Sequence, residues 1–149
     1  MKVYLAVGSV YGGAAEVAED YQRALLEAGL AAELDEAPRV ECLGAEDILL
    51  VVTSTTGQGE LPDAIQPFFQ QLEPSAALLA GRPFAVVALG DSSYGASFAA
   101  AGRAFQHKLE DLGARPIQPL LVIDALEHFQ AVEGAQVAIQ TLVQDLTRG

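Results

Sequence analysis

The sequence predicts a doubly wound α/β fold: a three-layer α/β/α sandwich built on a five-stranded parallel sheet in the order 2-1-3-4-5. Three observations carry that expectation. Short apolar runs alternate along the chain with stretches whose apolar residues recur at helical spacing. The runs are apolar throughout, as in strands covered on both faces. Three of them spill into loops of small and hydroxylated residues, where open α/β sheets bind ligands. Alternating strands and helices imply right-handed crossovers, and at 149 residues the order 2-1-3-4-5 is the usual solution. Its switch point falls between strands 1 and 3.

Val3 to Val7 reads as the first strand and Gly8 to Gly13 as the loop after it. Ala14, Val17, Ala18, Tyr21, Leu25 and Ala28 have helical spacing, and Gly29 caps that helix. Leu30 to Leu34 is a short second strand near an edge, and Asp35 to Gly44 a connector. Ile48 to Thr53 is the third strand. Pro62-Asp63 opens a helix that runs to Leu72, with a short helical piece at Ser75 to Ala80. The fourth strand lies within Arg82 to Leu89, and a helix follows from Phe98 to Leu112, ended by Gly113. Ile117 to Ile123 reads as one continuous fifth strand, and Gly134 to Leu146 as the last helix. No linker or repeat interrupts this order, so residues 1–149 read as a single domain.

The composition, 51% hydrophobic and 19% charged, is that of a globular chain. A net charge of −12 argues against nucleic acid and fits a protein steered toward basic partners, or simple solubility. No apolar run reaches membrane-spanning length, and Met1-Lys2 leads straight into a strand, so no signal or transit segment is expected. With Cys42 the single cysteine, no internal disulfide is possible, which fits the cytoplasm. Cys42 reads as a small buried hydrophobe rather than a redox or metal residue.

Three loops carry the chemistry. Ser9, Val10, Tyr11, Gly12, Gly13 and Ala14 join the first strand to the first helix, and an anion there would meet backbone N–H groups at a helix N-terminus. No Lys or Arg lies between Lys2 and Arg23, so the cradle works through amides and the Ser9 hydroxyl. Neither the Walker pattern nor G-x-G-x-x-G is present. The same glycines serve equally a tight turn that binds nothing. The second loop holds Ser54, Thr55, Thr56, Gly57 and Gln58; its hydroxyls can reach a phosphate or ribityl chain, and a peptide flip at Gly57-Gln58 can present C=O or N–H to a flavin N5. In the third, Leu89, Gly90, Asp91, Ser92 and Ser93 can border a pyrimidine rim. Tyr94 can stack on an isoalloxazine face there, and Phe98 lies at the loop's end. Asp91 serves equally as a turn or helix-cap residue, Tyr94 as a half-buried packing residue, and Phe98 as core. The expected cofactor is FMN, with no metal.

Residues 52–63, Val-Thr-Ser-Thr-Thr-Gly-Gln-Gly-Glu-Leu-Pro-Asp, and 88–94, Ala-Leu-Gly-Asp-Ser-Ser-Tyr, resemble the flavodoxins, closest to the short-chain bacterial MioC/YqcA type. They are also similar to the FMN domains of diflavin reductases. The resemblance covers nearly the whole chain and implies non-covalent FMN and one-electron transfer. It implies that Ser9 to Ala14 hold the phosphate, that Ser54 to Gly57 lie beside the ribityl chain and ring, and that Leu89 to Tyr94 border the ring, with Tyr94 its outer wall. The chain departs from the family where Tyr11 and Ala14 replace two hydroxyl residues and Thr56 replaces an inner aromatic; it contains no Trp. A looser, more solvent-accessible flavin is expected.

The redox chemistry belongs to the cofactor, and the protein sets its binding and potential. A chain of charge −12 with no cation in these loops disfavours added negative charge on the ring, lowering the potential of its second electron. Glu60, Asp63 and Asp91 form a candidate acidic rim for a basic flavodoxin reductase as donor and a redox enzyme as acceptor. MioC-type relatives suggest an iron–sulfur acceptor resembling biotin synthase. The chain reads as an electron carrier and a monomer rather than a classical enzyme. The enzyme alternative is an NAD(P)H:quinone-type reductase, which usually adds a substrate-binding segment not seen here; a regulator that has lost FMN is a further alternative. A phosphoacceptor receiver would need acidic residues where Gly8-Ser9 and Thr53-Ser54 stand, and a Ser-His-Asp hydrolase lacks its G-x-S-x-G. His107 falls in a helix pattern and His128 in the final connector, with no nucleophile partner.

Overall fold

The computed structural model describes residues 1–10, 12–56, 60–90, 99–124 and 128–148, with the backbone alone for 128–134. Strand β1 (Val3–Gly8) leads to helix α1 (Gly13–Glu27), then β2 (Ala32–Asp35), a 3-10 turn at Val40–Cys42 and β3 (Ile48–Thr53). Helices α2 (Gln66–Leu72) and α3 (Ala76–Leu79) precede β4 (Pro83–Gly90), which leads to α4 (Ala100–Asp111). The chain closes with β5 (Arg115–Pro116), β6 (Leu121–Asp124) and α5 (His128–Thr147). All pairings among these strands are parallel, in the order β2-β1-β3-β4, with β5 and β6 both on the far side of β4.

Alternation along the strands builds two cores. Tyr4, Ala6, Leu49, Val51, Phe84 and Val86 face Phe68, Leu72, Leu79, Phe105 and Leu109 of α2, α3 and α4. Val3, Leu5, Val7, Leu50, Val52 and Val87 face Tyr21 and Leu25 of α1 and Ile139 and Leu142 of α5. Every residue of β1 and β3 is buried, which is why these strands read as unbroken apolar runs. Cys42 is half-buried at the margin of the first core rather than inside it.

Several boundaries differ from the expectation. The fifth strand is interrupted: Phe84 pairs with Pro116 and Val87 with Leu121, so residues 117–120 stand opposite 85–86. Pro119 has no N–H for the ladder, and the chain bows out around it. An even excess keeps the side-chain alternation intact, so Ile117, Leu121 and Ile123 still pack on the α1/α5 core. Helix α2 begins at Gln66 rather than Asp63, after a turn in which the Ile65 N–H bonds the Pro62 carbonyl (3.1 Å). Pro67 is tolerated only in a first turn, and this sets the start. Helix α5 begins at His128, so His128 lies in a helix and not in a connector. Gly29 does cap α1: at φ 83° it lets the Leu30 N–H reach the Leu25 carbonyl (3.0 Å).

Charged groups are buried at the end of the sheet where the strands begin. Asp47, just before β3, accepts from the Lys2 and Gly44 amides (3.0 and 2.6 Å) and pairs with Lys2 Nζ (3.1 Å). The guanidinium of Arg82, just before β4, donates to the carbonyls of Gly44, Asp47 and Leu78. This clasp joins the first turns of three strands.

Candidate functional site

The opposite end of the sheet holds the predicted loops. Gly8 is the register partner of Thr53, and Thr53 of Ala88, so β1, β3 and β4 release their loops at the same height. The Ser54 N–H extends this pairing by one bond to the Gly8 carbonyl (2.8 Å). Adjacent strands lie about 4.8 Å apart, so the three loops start within about 10 Å of one another. A Cβ on Gly8 would come 2.6 Å from Ile65 Cγ2, so only glycine lets the residue before α2 plug the floor beneath the first loop.

The first loop meets the requirements of an anion site. Gly12 is the N-cap of α1 at φ 90°, and no side chain caps the helix. Among the described residues, the first-turn N–H groups therefore have no intrahelical or side-chain partner. The Gly12 N–H donates to Ser9 Oγ (2.8 Å), which leaves the Ser9 hydroxyl proton for an outside acceptor. Ser9 is half-buried and Val10 exposed, while Ala14 is buried in the α1/α5 core and presents only its amide. A Cβ at Gly13 would sit 3.6 Å from Leu89, which places the first and third loops side by side. Amides, the Ser9 hydroxyl and the lack of a basic side chain fit a phosphate monoester held by dipoles at a helix N-terminus.

Ser54, Thr55 and Thr56 of the second loop are each half-buried. Thr56 and Glu60 close the loop on itself: the Thr56 N–H donates to the Glu60 carbonyl and the Glu60 N–H to Thr56 Oγ1, both at 3.0 Å. Thr55 Oγ1 does not point only toward a ligand, because it accepts from the Ala101 N–H of α4 (3.2 Å). Leu89 and Gly90 begin the third loop, with Gly90 in register with Asp124 at the end of β6. Of the predicted site residues, Tyr11, Gly57, Gln58, Asp91, Ser92, Ser93, Tyr94 and Phe98 lie outside the described residues. Glu60 and Asp63 are exposed on the rim.

The Ala101 amide was not legible in the sequence, because a main-chain donor has no residue signature. Ser97, just before the expected start at Phe98, pointed instead to a local cap. Glu33, Asp35 and Cys42 offer ligand atoms within 4.8 Å of one another at the β2 edge. Asp35 there accepts from the Tyr4 hydroxyl (2.6 Å), and Lys2 Nζ stands 3.8 Å from Glu33. Internal donors thus already serve that cluster.

Known proteins place this geometry. A profile of the flavodoxin family matches residues 5–135. Flavodoxin YqcA of Escherichia coli K12 is 40% identical over 124 residues, covering 82% of this chain and 83% of its own. Protein MioC of the same organism is 34% identical over 126 residues, 85% of each chain. The structure of a cysteine-to-serine mutant of flavodoxin from Pseudomonas aeruginosa superposes with a TM-score of 0.86 at 39% identity, covering 96% of this chain and 97% of that one. The chain belongs to the flavodoxin family, electron-transfer proteins whose cofactor is FMN. No helix among the described residues is long and apolar enough to cross a membrane.

Proposed function

We propose that this protein shuttles single electrons on FMN from a basic reductase to an acceptor enzyme. The observation that supports it most is the meeting of three loops at one height of the sheet beside an uncapped helix N-terminus. In this reading the Ser9 hydroxyl, oriented by the Gly12 N–H, and the amides of Gly13 and Ala14 hold the phosphate. Ser54, Thr56 and Gly57 flank the ribityl chain and ring. Leu89 to Tyr94 border the ring, with Tyr94 stacked on its outer face. FMN, when bound, supplies the one-electron chemistry; the residues bind it, orient it and tune its potential.

No Lys or Arg occurs in the three loops, and Glu60 and Asp63 stand exposed beside them. An acidic rim favours fast, weak, salt-sensitive docking of a basic partner. Glu60 also borders a groove of about 250 Å³ with Leu61 and Phe69, an apolar foothold next to the charge.

FMN titration of the apoprotein, followed by flavin fluorescence, tests the cofactor site: quenching at a 1:1 ratio is expected. Reduction by NADPH through a flavodoxin reductase tests the shuttle. It should be stoichiometric and should slow as salt rises. Rapid NADPH oxidation by the isolated holoprotein would instead make it a reductase in its own right.

A further inference from the structure

We propose that Thr55 supplies the capping acceptor of α4 from the second loop, and that this bond makes the second loop and α4 bind FMN as one unit. The inference rests on the reading that FMN lies against the second loop. Among the described residues, α4 has no side-chain cap from its own start. Its N-cap residue is Ala99, whose methyl offers no acceptor and whose backbone sits at φ 59°, in the left-handed region that non-glycine residues rarely adopt. A local cap accepts a hydrogen bond from the second or third amide of its helix. Ala101 is the second residue of α4, and its amide is the one that Thr55 Oγ1 accepts, from 46 residues away at 3.2 Å.

The rest of α4 has little freedom to follow a shift at its start. Gly102 lies so close to β4 that an added Cβ would meet Ala88, and Ala99, Ala101 and Phe105 are fully buried. The oxygen of Thr55 is occupied from the helix side, and its hydroxyl proton remains free to be donated. Thr55 therefore acts as a positioning residue. It ties the loop leaving β3 to the helix that follows the loop leaving β4, with the FMN site between the two strands' ends.

The test uses Thr55→Val, which keeps shape and removes the acceptor, and Thr55→Ser, which keeps the acceptor. Two readouts are needed: FMN dissociation constants and amide hydrogen exchange at Ala101, with and without FMN. Losing a cap of typical strength should raise the FMN dissociation constant of Thr55→Val about tenfold, with Thr55→Ser within about twofold of the parent. Ala101 exchange should accelerate in Thr55→Val, and FMN should slow it in the parent and in Thr55→Ser but much less in Thr55→Val. Unchanged Ala101 exchange in Thr55→Val overturns the cap. Faster exchange with parental FMN affinity overturns the coupling. A Thr55→Ser protein as weak as Thr55→Val shows that the methyl, not the hydroxyl, matters, and also overturns it. If the parent takes up no FMN, the cofactor reading fails and the coupling with it, while Ala101 exchange still reports on the cap.

Discussion

Gly102 of α4 rests on Ala88 of β4 with no space for a side chain: a Cβ there would lie 2.1 Å from the Ala88 Cβ and 3.0 Å from its Cα. The helix that follows the third loop is seated by this contact. Gly102→Ala should destabilise the fold by about 1–3 kcal/mol, the usual cost of overpacking, although alanine is the better helix former. FMN should bind more weakly in the same variant, because α4 must lift away from the bond it makes with Thr55. Urea unfolding and FMN titration check both effects. Unaltered stability would show that the helix shifts freely.

Ser9→Ala removes the aliphatic hydroxyl of the first loop and the acceptor of the Gly12 N–H. A charge-assisted hydrogen bond contributes about 1.5–3 kcal/mol, so FMN affinity should fall by at least about tenfold. Riboflavin, which has no phosphate, should bind parent and variant alike. Equal losses for both ligands would move Ser9 away from the phosphate.

The Tyr21 hydroxyl is buried between α1 and the sheet with no hydrogen-bond partner among the described residues, and burial pushes its ionisation well above the usual tyrosine range. Tyr21→Phe should raise the unfolding free energy by about 1 kcal/mol, since an unsatisfied polar group is removed and the ring retained. In an alkaline absorbance titration Tyr21 should ionise only as the protein unfolds. A stability loss in Tyr21→Phe would point to a buried water on the hydroxyl.

Asp47 links stability to acid pH. Burial pushes its carboxyl up, but the Gly44 amide and the ammonium and amide of Lys2 prevail and hold it below its ordinary value of 3.8. The folded carboxyl is then the stronger acid, so its contribution is present above pH 3.8 and is lost as pH falls through the lower folded value. Lys2 mirrors this at high pH. Its hydrogen bond to Asp47 raises it above 10.5, and that contribution disappears as pH climbs through the raised value. Asp47→Asn should lower stability near neutrality by about 1–3 kcal/mol and flatten both limbs of the pH–stability curve. Parallel curves for parent and variant would place the linkage elsewhere.

Much of this protein was already legible in its residues. Val3–Val7 and Ile48–Val52 are apolar at every position because both faces of β1 and β3 are covered, and Phe84–Leu89 of β4 repeats the pattern. The glycines and hydroxyls of Gly8–Gly13 and Ser54–Gly57 point to the loops proposed for the cofactor, since an anion cradle without cations needs an exposed backbone. The interruption of the fifth strand was half-visible in Pro119, but the even excess of residues that keeps its faces in phase appears only in the pairing with β4.

Local chemistry determined strands β1 and β3, the Gly29 cap of α1 and the loops that could receive a phosphate, because each depends on residues within one turn or one run. Tertiary structure alone decided that Thr55 would serve α4, that Gly102 would touch Ala88 and that Lys2, Asp47 and Arg82 would form one clasp. These contacts join segments far apart in the chain, and most end on amides, carbonyls or α-carbons. Such atoms are the same in every residue, so their partners are set only when the sheet brings the segments together.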